Sequence, residues 1–103
     1  MAFVRVGTKS DVPAGTVRVF DAGGVSVCVA NVDGENFYAV DNLCTHDNGP
    51  LGEGRLADGD VECPRHGARF DVKTGEVRAF PAVKPVRAYA VRLDAEEISV
   101  DVG

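Results

Sequence analysis

Apolar residues in this chain gather in short runs separated by polar, glycine-containing turns: Phe3 to Val6, Val17 to Phe20, Val25 to Ala30, Phe37 to Val40, Val86 to Leu93 and Ile98 to Val102. Valine and aromatic residues dominate these runs, as suits strands packed on a pleated, half-buried surface. No long stretch repeats at helical spacing. Turn signals at Pro13-Ala14-Gly15, Asp21-Ala22-Gly23-Gly24, Asp33-Gly34-Glu35-Asn36 and Lys73-Thr74-Gly75 predict antiparallel hairpins between consecutive strands. The fold class is therefore all-β. In the middle of the chain, Arg55-Leu56 is expected to pair with Asp60-Val61-Glu62, and Arg69 to Val72 with Glu76 to Arg78. This divides one domain, residues 1–103, into a base of about 1–40 and 86–103 and a small inserted β-subdomain of about 41–85.

The inserted part carries the candidate chemistry. Cys44-Thr45-His46 and Cys63-Pro64-Arg65-His66 are two ligand pairs with sixteen residues between them, and they contain both histidines and two of the three cysteines. Thiolate and neutral imidazole are donors suited to zinc, copper or iron-sulfur chemistry. Asp47-Asn48-Gly49-Pro50 after the first pair, with Pro64 and Gly67 around the second, place each pair on a turn, so that two loops clamp one centre. Spacing alone leaves structural zinc and an iron-sulfur cluster both open. Cys28 lies in a strand run, where a small apolar thiol packs well, and reads as structural rather than ligating.

Composition narrows the setting. At 103 residues the chain builds a modest core, which a metal centre would stabilise. The net charge of -5 disfavours nucleic acid or an anionic membrane as partner and favours a protein with a basic face. Met-Ala-Phe-Val-Arg-Val enters alternating sequence without the features of a secretory signal, so the cytoplasm is the expected location. No apolar run approaches the roughly 18 to 20 residues of a membrane helix.

The wider residues favour iron-sulfur chemistry. Cys44-Thr45-His46 and Cys63-Pro64-Arg65-His66-Gly67, followed by Phe70-Asp71, Thr74-Gly75, Phe80-Pro81-Ala82-Val83-Lys84-Pro85 and Tyr89, resemble the Rieske iron-sulfur family over essentially the whole chain. The resemblance implies an antiparallel β-sandwich base and one 2Fe-2S cluster, with Cys44 and Cys63 on one iron and His46 and His66 on the outer one. It also implies a proline loop, centred on Pro81, covering the cluster. Replacing two thiolates by imidazoles removes two negative charges and raises the potential above that of an all-cysteine cluster. Respiratory and photosynthetic members carry two further cysteines where this chain has Gly49 and Arg65, so no disulfide is expected between the loops, in keeping with a reducing compartment. Those members also place hydroxyl donors at the positions of Ala68 and Phe70, whose absence here implies a lower potential.

The chain shows neither a Gly-rich nucleotide fingerprint nor the two-histidine, one-carboxylate iron site of an oxygenase. The resemblance thus implies a non-enzymatic one-electron carrier, akin to the Rieske ferredoxins that pass electrons from a flavin-dependent NAD(P)H ferredoxin reductase to a terminal oxygenase. The alternatives are the small Rieske subunit of an assimilatory nitrite reductase, a structural zinc-binding interaction module, and a ferredoxin serving another oxygenase or iron-sulfur assembly. Docking is expected around His46 and His66, with Asp47, Arg65 and Pro81 nearby. Asp71, Glu76 and Asp94-Ala95-Glu96-Glu97 read as solvated surface, and Arg65 and Arg69 as surface charge beside the second ligand pair.

Overall fold

A computed structural model describes residues 2–45, 49–64, 67–80, 82 and 84–103, and the statements below concern these. The strands are β1 (Phe3–Thr8), β2 (Thr16–Ala22), β3 (Val25–Asn31), β4 (Phe37–Asp41), β5 (Arg55–Ala57), β6 (Asp60–Glu62), β7 (Arg69–Asp71), β8 (Val77–Ala79), β9 (Ala88–Tyr89), β10 (Val91–Asp94) and β11 (Glu97–Asp101). They form three antiparallel sheets, ordered β1-β11-β10, β2-β3-β4-β9 and β5-β6-β7-β8. The all-β expectation holds. Both hairpins expected in the central region form, β5 with β6 and β7 with β8.

The sheet β2-β3-β4-β9 is the middle layer, and β3 shows why. Its residues alternate faces as a strand must. Val27 and Val29 enter one core with Val12, Phe37, Ile98 and Val100, while Cys28 and Ala30 enter a second core with Cys44, Cys63 and Phe70. A strand buried on both faces reads as a continuous apolar run rather than an alternating one. The first core joins the two sheets of the base. The second joins the base to the sheet β5-β6-β7-β8.

Two expectations from the sequence are corrected. Pro13-Ala14-Gly15 does not turn a hairpin, because β1 pairs with β11 at the opposite end of the chain and β2 starts a different sheet. A 3-10 turn at Lys9–Asp11 takes up the connection and buries Val12 between the sheets. The run from Val86 to Leu93 is not one strand. It breaks at Ala90, with Ala88 and Tyr89 paired to β4 and Val91 onward paired to β11, so the chain crosses from the middle sheet to the outer one. Apolar content is the same on both sides of the break, and only the pairing partner changes.

Gly75 marks where the third sheet meets the base. Its φ of +82° is costly for a residue with a side chain, and a Cβ there would lie 1.9 Å from the Val86 carbonyl oxygen. The close approach lets the Val86 N–H donate to the Gly75 carbonyl at 2.9 Å.

Candidate metal centre

The first cysteine loop leaves β4, and the second joins β6 to β7. In each, the cysteine N–H turns back onto the carbonyl five residues later: Cys44 to Gly49 at 2.8 Å and Cys63 to Ala68 at 2.6 Å. The second loop has an inner closure as well, from the Gly67 N–H to the Cys63 carbonyl at 3.2 Å. His46 and His66 fall within these two closures in sequence. Both lie outside the described residues, as do Asp47, Arg65 and Pro81.

Cys44 is fully buried and Cys63 is 2% exposed, and one core cluster contains both together with Leu51, Ala68, Phe70 and Ala82. The structure thus brings together Cys44, Cys63, Ala68 and Phe70 from two separate stretches of chain. Phe70, with no exposed surface, is the largest fully buried side chain, and burying a group of this size stabilises the fold by about 2 to 3 kcal/mol. Among the described residues no cysteine is in a disulfide. Two buried cysteines on matching loops, within an apolar shell that keeps water away, suit the thiolate half of a two-cysteine, two-histidine donor set. Among the described residues alone no group of three or more metal-binding side chains forms, as follows from both histidines lying outside them.

Asn42 holds the neck of the first loop. Its Oδ1 accepts from the Gly52 N–H at 2.7 Å and from the Cys28 thiol at 3.2 Å, its Nδ2 donates to the Ser26 hydroxyl at 3.0 Å, and its N–H donates to the Ser26 carbonyl at 3.1 Å. Gly52 is tightly enclosed, because a Cβ there would come within 2.1 Å of Val19 Cγ2. Cys28, 1% exposed, has a thiol pushed up to about 12, first by burial and then by the Asp41 carboxylate, so it stays protonated at neutral pH. This agrees with a packing role and adds a task that the sequence reading missed, since the thiol braces the loop neck. A polar residue at a strand end, two positions before a candidate ligand, is the signal that could have pointed to Asn42.

A third segment completes the site. The Thr45 hydroxyl donates to the Lys84 carbonyl at 2.6 Å, tying the first loop to the chain between β8 and β9. Ala82 in that chain is buried against the cysteine cluster, whereas Phe80 is 82% exposed. On the sheet β5-β6-β7-β8, Arg78 bonds Asp71 at 2.7 Å and Arg69 approaches Asp60 at 3.3 Å. Burial is the largest influence on Asp71 and acts upward, but the Arg78 guanidinium and the Lys73 N–H together hold its carboxyl below the usual range. Burial pushes Asp60 up despite Arg69 and Arg78.

Comparison with known proteins agrees with this architecture. The family model for the Rieske [2Fe-2S] domain matches residues 2–90. The biphenyl 2,3-dioxygenase ferredoxin component of Rhodococcus jostii (strain RHA1) is 37% identical over 99% of this chain and 94% of its own length. The ferredoxin of carbazole 1,9a-dioxygenase from Nocardioides aromaticivorans IC177 superposes with a TM-score of 0.91 at 42% identity, covering 97% of each chain. A solved complex of reduced oxygenase and oxidized ferredoxin in carbazole 1,9a-dioxygenase contains a chain that superposes at 0.87, with 33% identity over 95% of this chain and 100% of that one. The matched fold, the paired cysteine loops and these full-length likenesses make this chain a member of the Rieske [2Fe-2S] family, an electron carrier with one 2Fe-2S cluster and not an enzyme.

Proposed function

We propose that the protein carries single electrons from a flavin-dependent NAD(P)H ferredoxin reductase to the terminal oxygenase of an aromatic-ring dioxygenase system, working in the cytoplasm. Full-length likeness to ferredoxin components of such systems supports this reading. The observation that carries it is the burial of Cys44 and Cys63 in one apolar cluster on two loops of matching closure. When bound, the cluster accepts and releases one electron with little rearrangement.

Cys44 and Cys63 would supply its thiolates, and His46 and His66 would complete the donor set with neutral imidazoles. Leu51, Ala68, Phe70 and Ala82 exclude water on the inner side. Pro81, in the third segment that Thr45 ties down through Lys84, would cover the cluster. Residues 1–40 and 86–103 act as a base for the cluster-binding part, residues 41–85, and all belong to one domain. With no hydroxyl at Ala68 or Phe70 the potential lies nearer roughly -150 mV than +300 mV, which suits a carrier reduced by a flavin.

Metal and sulfide analysis with absorption and electron paramagnetic resonance spectra of the purified protein tests the ligand set. About two irons and two acid-labile sulfides per chain are expected, lost in His46→Ala and His66→Ala and retained in Cys28→Ser. Stoichiometric zinc without sulfide would sink the carrier reading in favour of the zinc module. Tight co-purification with a large reductase subunit would favour the nitrite reductase alternative.

A further inference from the structure

Among the described residues, the chain between β8 and β9 joins no sheet, yet it packs against the cysteine loops. Ala82 is 1% exposed and Val86 4%, and both belong to the core cluster that contains Cys44 and Cys63. A segment outside the ladders must be fixed by other bonds, and the prolines at positions 81 and 85 remove two backbone donors from this one. At its C-terminal end the Val86 N–H donates to the Gly75 carbonyl at 2.9 Å, and the Arg87 carbonyl accepts the Asp41 N–H at 2.8 Å. Nearer its middle, the Lys84 carbonyl accepts the Thr45 hydroxyl at 2.6 Å.

The two backbone bonds fasten the segment to the third sheet and to β4, whereas Thr45 fastens it to a ligand loop. Thr45 stands between Cys44 and His46 in sequence, so a bond from its side chain sets the segment relative to the ligands themselves. Its branched Cβ restricts χ1, and the hydroxyl is aimed at Lys84 with little loss of freedom. The position of the segment matters for the redox equilibrium because reduction adds one negative charge to the centre. Charge is disfavoured where water is excluded, so an apolar shell that stays closed favours the oxidised state and holds the potential down.

We propose that Thr45 is a positioning residue for electron transfer: its hydroxyl, acting through the Lys84 carbonyl, holds Ala82 against Cys44 and Cys63, and so keeps the potential low and water away from the centre. The assignment rests on the ligand set proposed above. It adds a second cause of a low potential to the missing hydroxyls at Ala68 and Phe70. The two causes are separable, because one acts through water and the other through hydrogen bonds to sulfur. Loss of one ordinary hydrogen bond shifts the equilibrium between the docked and undocked segment about fivefold. The bond lies on the exposed side of the first loop, so its removal leaves the buried packing of Cys44 in place.

Thr45→Val keeps the size and branching of the side chain and removes the donor, while Thr45→Ser keeps the donor. Holoprotein of both variants and of wild type would be compared by film voltammetry, by the rate at which the visible absorbance bleaches, and by hydrogen exchange at the Val86 amide. Thr45→Val is expected to exchange and to bleach about fivefold faster than wild type and to rise in potential, with Thr45→Ser close to wild type in all three. An unchanged or lower potential in Thr45→Val would overturn the proposal even if bleaching accelerated, since a merely structural bond acts on lifetime alone. Thr45→Ser behaving as Thr45→Val does would also overturn it, by showing that the methyl group and not the hydroxyl holds the segment. So would a Thr45→Val protein that assembled no cluster, because the residue would then be required for the loop itself. Wild-type protein holding zinc in place of iron and sulfide would remove the ligand reading and this proposal together. A wild-type cluster with both variants unaffected would remove this proposal alone.

Discussion

The loop after β4 and the loop between β6 and β7 fold a cysteine N–H onto a carbonyl at the same separation, but they are braced by different means. The second loop is the end of a hairpin, with Val61 opposite Phe70 and Glu62 opposite Arg69. Its geometry follows from the backbone ladder, with Phe70 as a buried foot, and no single polar side chain is needed. The first loop joins two different sheets, β4 in the base and β5 in the third sheet, and no ladder closes it. There a side chain substitutes for the ladder: Asn42 bonds Gly52 across the neck and is itself held by Ser26 and Cys28 on β3. One cysteine is placed by local pairing and the other by tertiary contact, so the two loops should fail differently when perturbed.

The largest effect is expected at that neck. Asn42→Ala removes the partner of the partly buried Gly52 N–H and releases Ser26 and Cys28, which costs about 1 to 3 kcal/mol, whereas Arg69→Ala beside the second loop should cost about 1 kcal/mol or less. Denaturant unfolding of both variants, with the rate at which the visible iron-sulfur absorbance bleaches, measures the contrast. Equal losses would show that both loops depend on side chains alike.

Ala68→Ser and Phe70→Tyr test the hairpin loop. A hydroxyl reaching cluster sulfur favours the reduced state by about 1 kcal/mol, or roughly 40 mV for one electron. Both variants are expected to rise in potential by film voltammetry. Phe70 is fully buried, so a new hydroxyl that found no acceptor there would instead lower stability at constant potential.

Cys28 separates bracing from ligation. Cys28→Ser retains a donor to Asn42 and is expected to leave the spectrum unchanged, while Cys28→Ala should destabilise the fold by about 1 kcal/mol with the spectrum still intact. Loss of the cluster in either variant would mean that Cys28 is a ligand.

The smallest effect is the pH response of Asp71. Its folded carboxyl titrates below the unfolded value, so ionised Asp71 adds stability above the unfolded range, and this stability is lost as pH falls through the folded value. Asp71→Asn is therefore expected to be less stable than wild type by about 1 kcal/mol at neutral pH, with the gap closing in acid. A constant gap across thermal melts from pH 7 to pH 3 would show that the ion pair with Arg78 contributes nothing.

Much of this protein follows from local sequence. Asp58-Gly59 closes its two-residue hairpin with both residues at positive φ, the valine runs form strands, and the spacing of Cys44 and Cys63 marks two loops that meet in one core cluster. These features depend on neighbours a few residues apart, where propensity and turn geometry decide the outcome. The break at Ala90, the pairing of β1 with β11 and the bracing of Asn42 by Cys28 join residues far apart in the chain. Which strand meets which, and which polar group closes a loop, is settled when two apolar faces are buried together, and a one-dimensional pattern records the faces without recording the partners. The sequence alone determined that Cys44 and Cys63 lie on paired loops. Only the tertiary structure decided that one loop hangs from a hairpin while the other is braced at its neck by Asn42 and tied by Thr45 to the chain between β8 and β9.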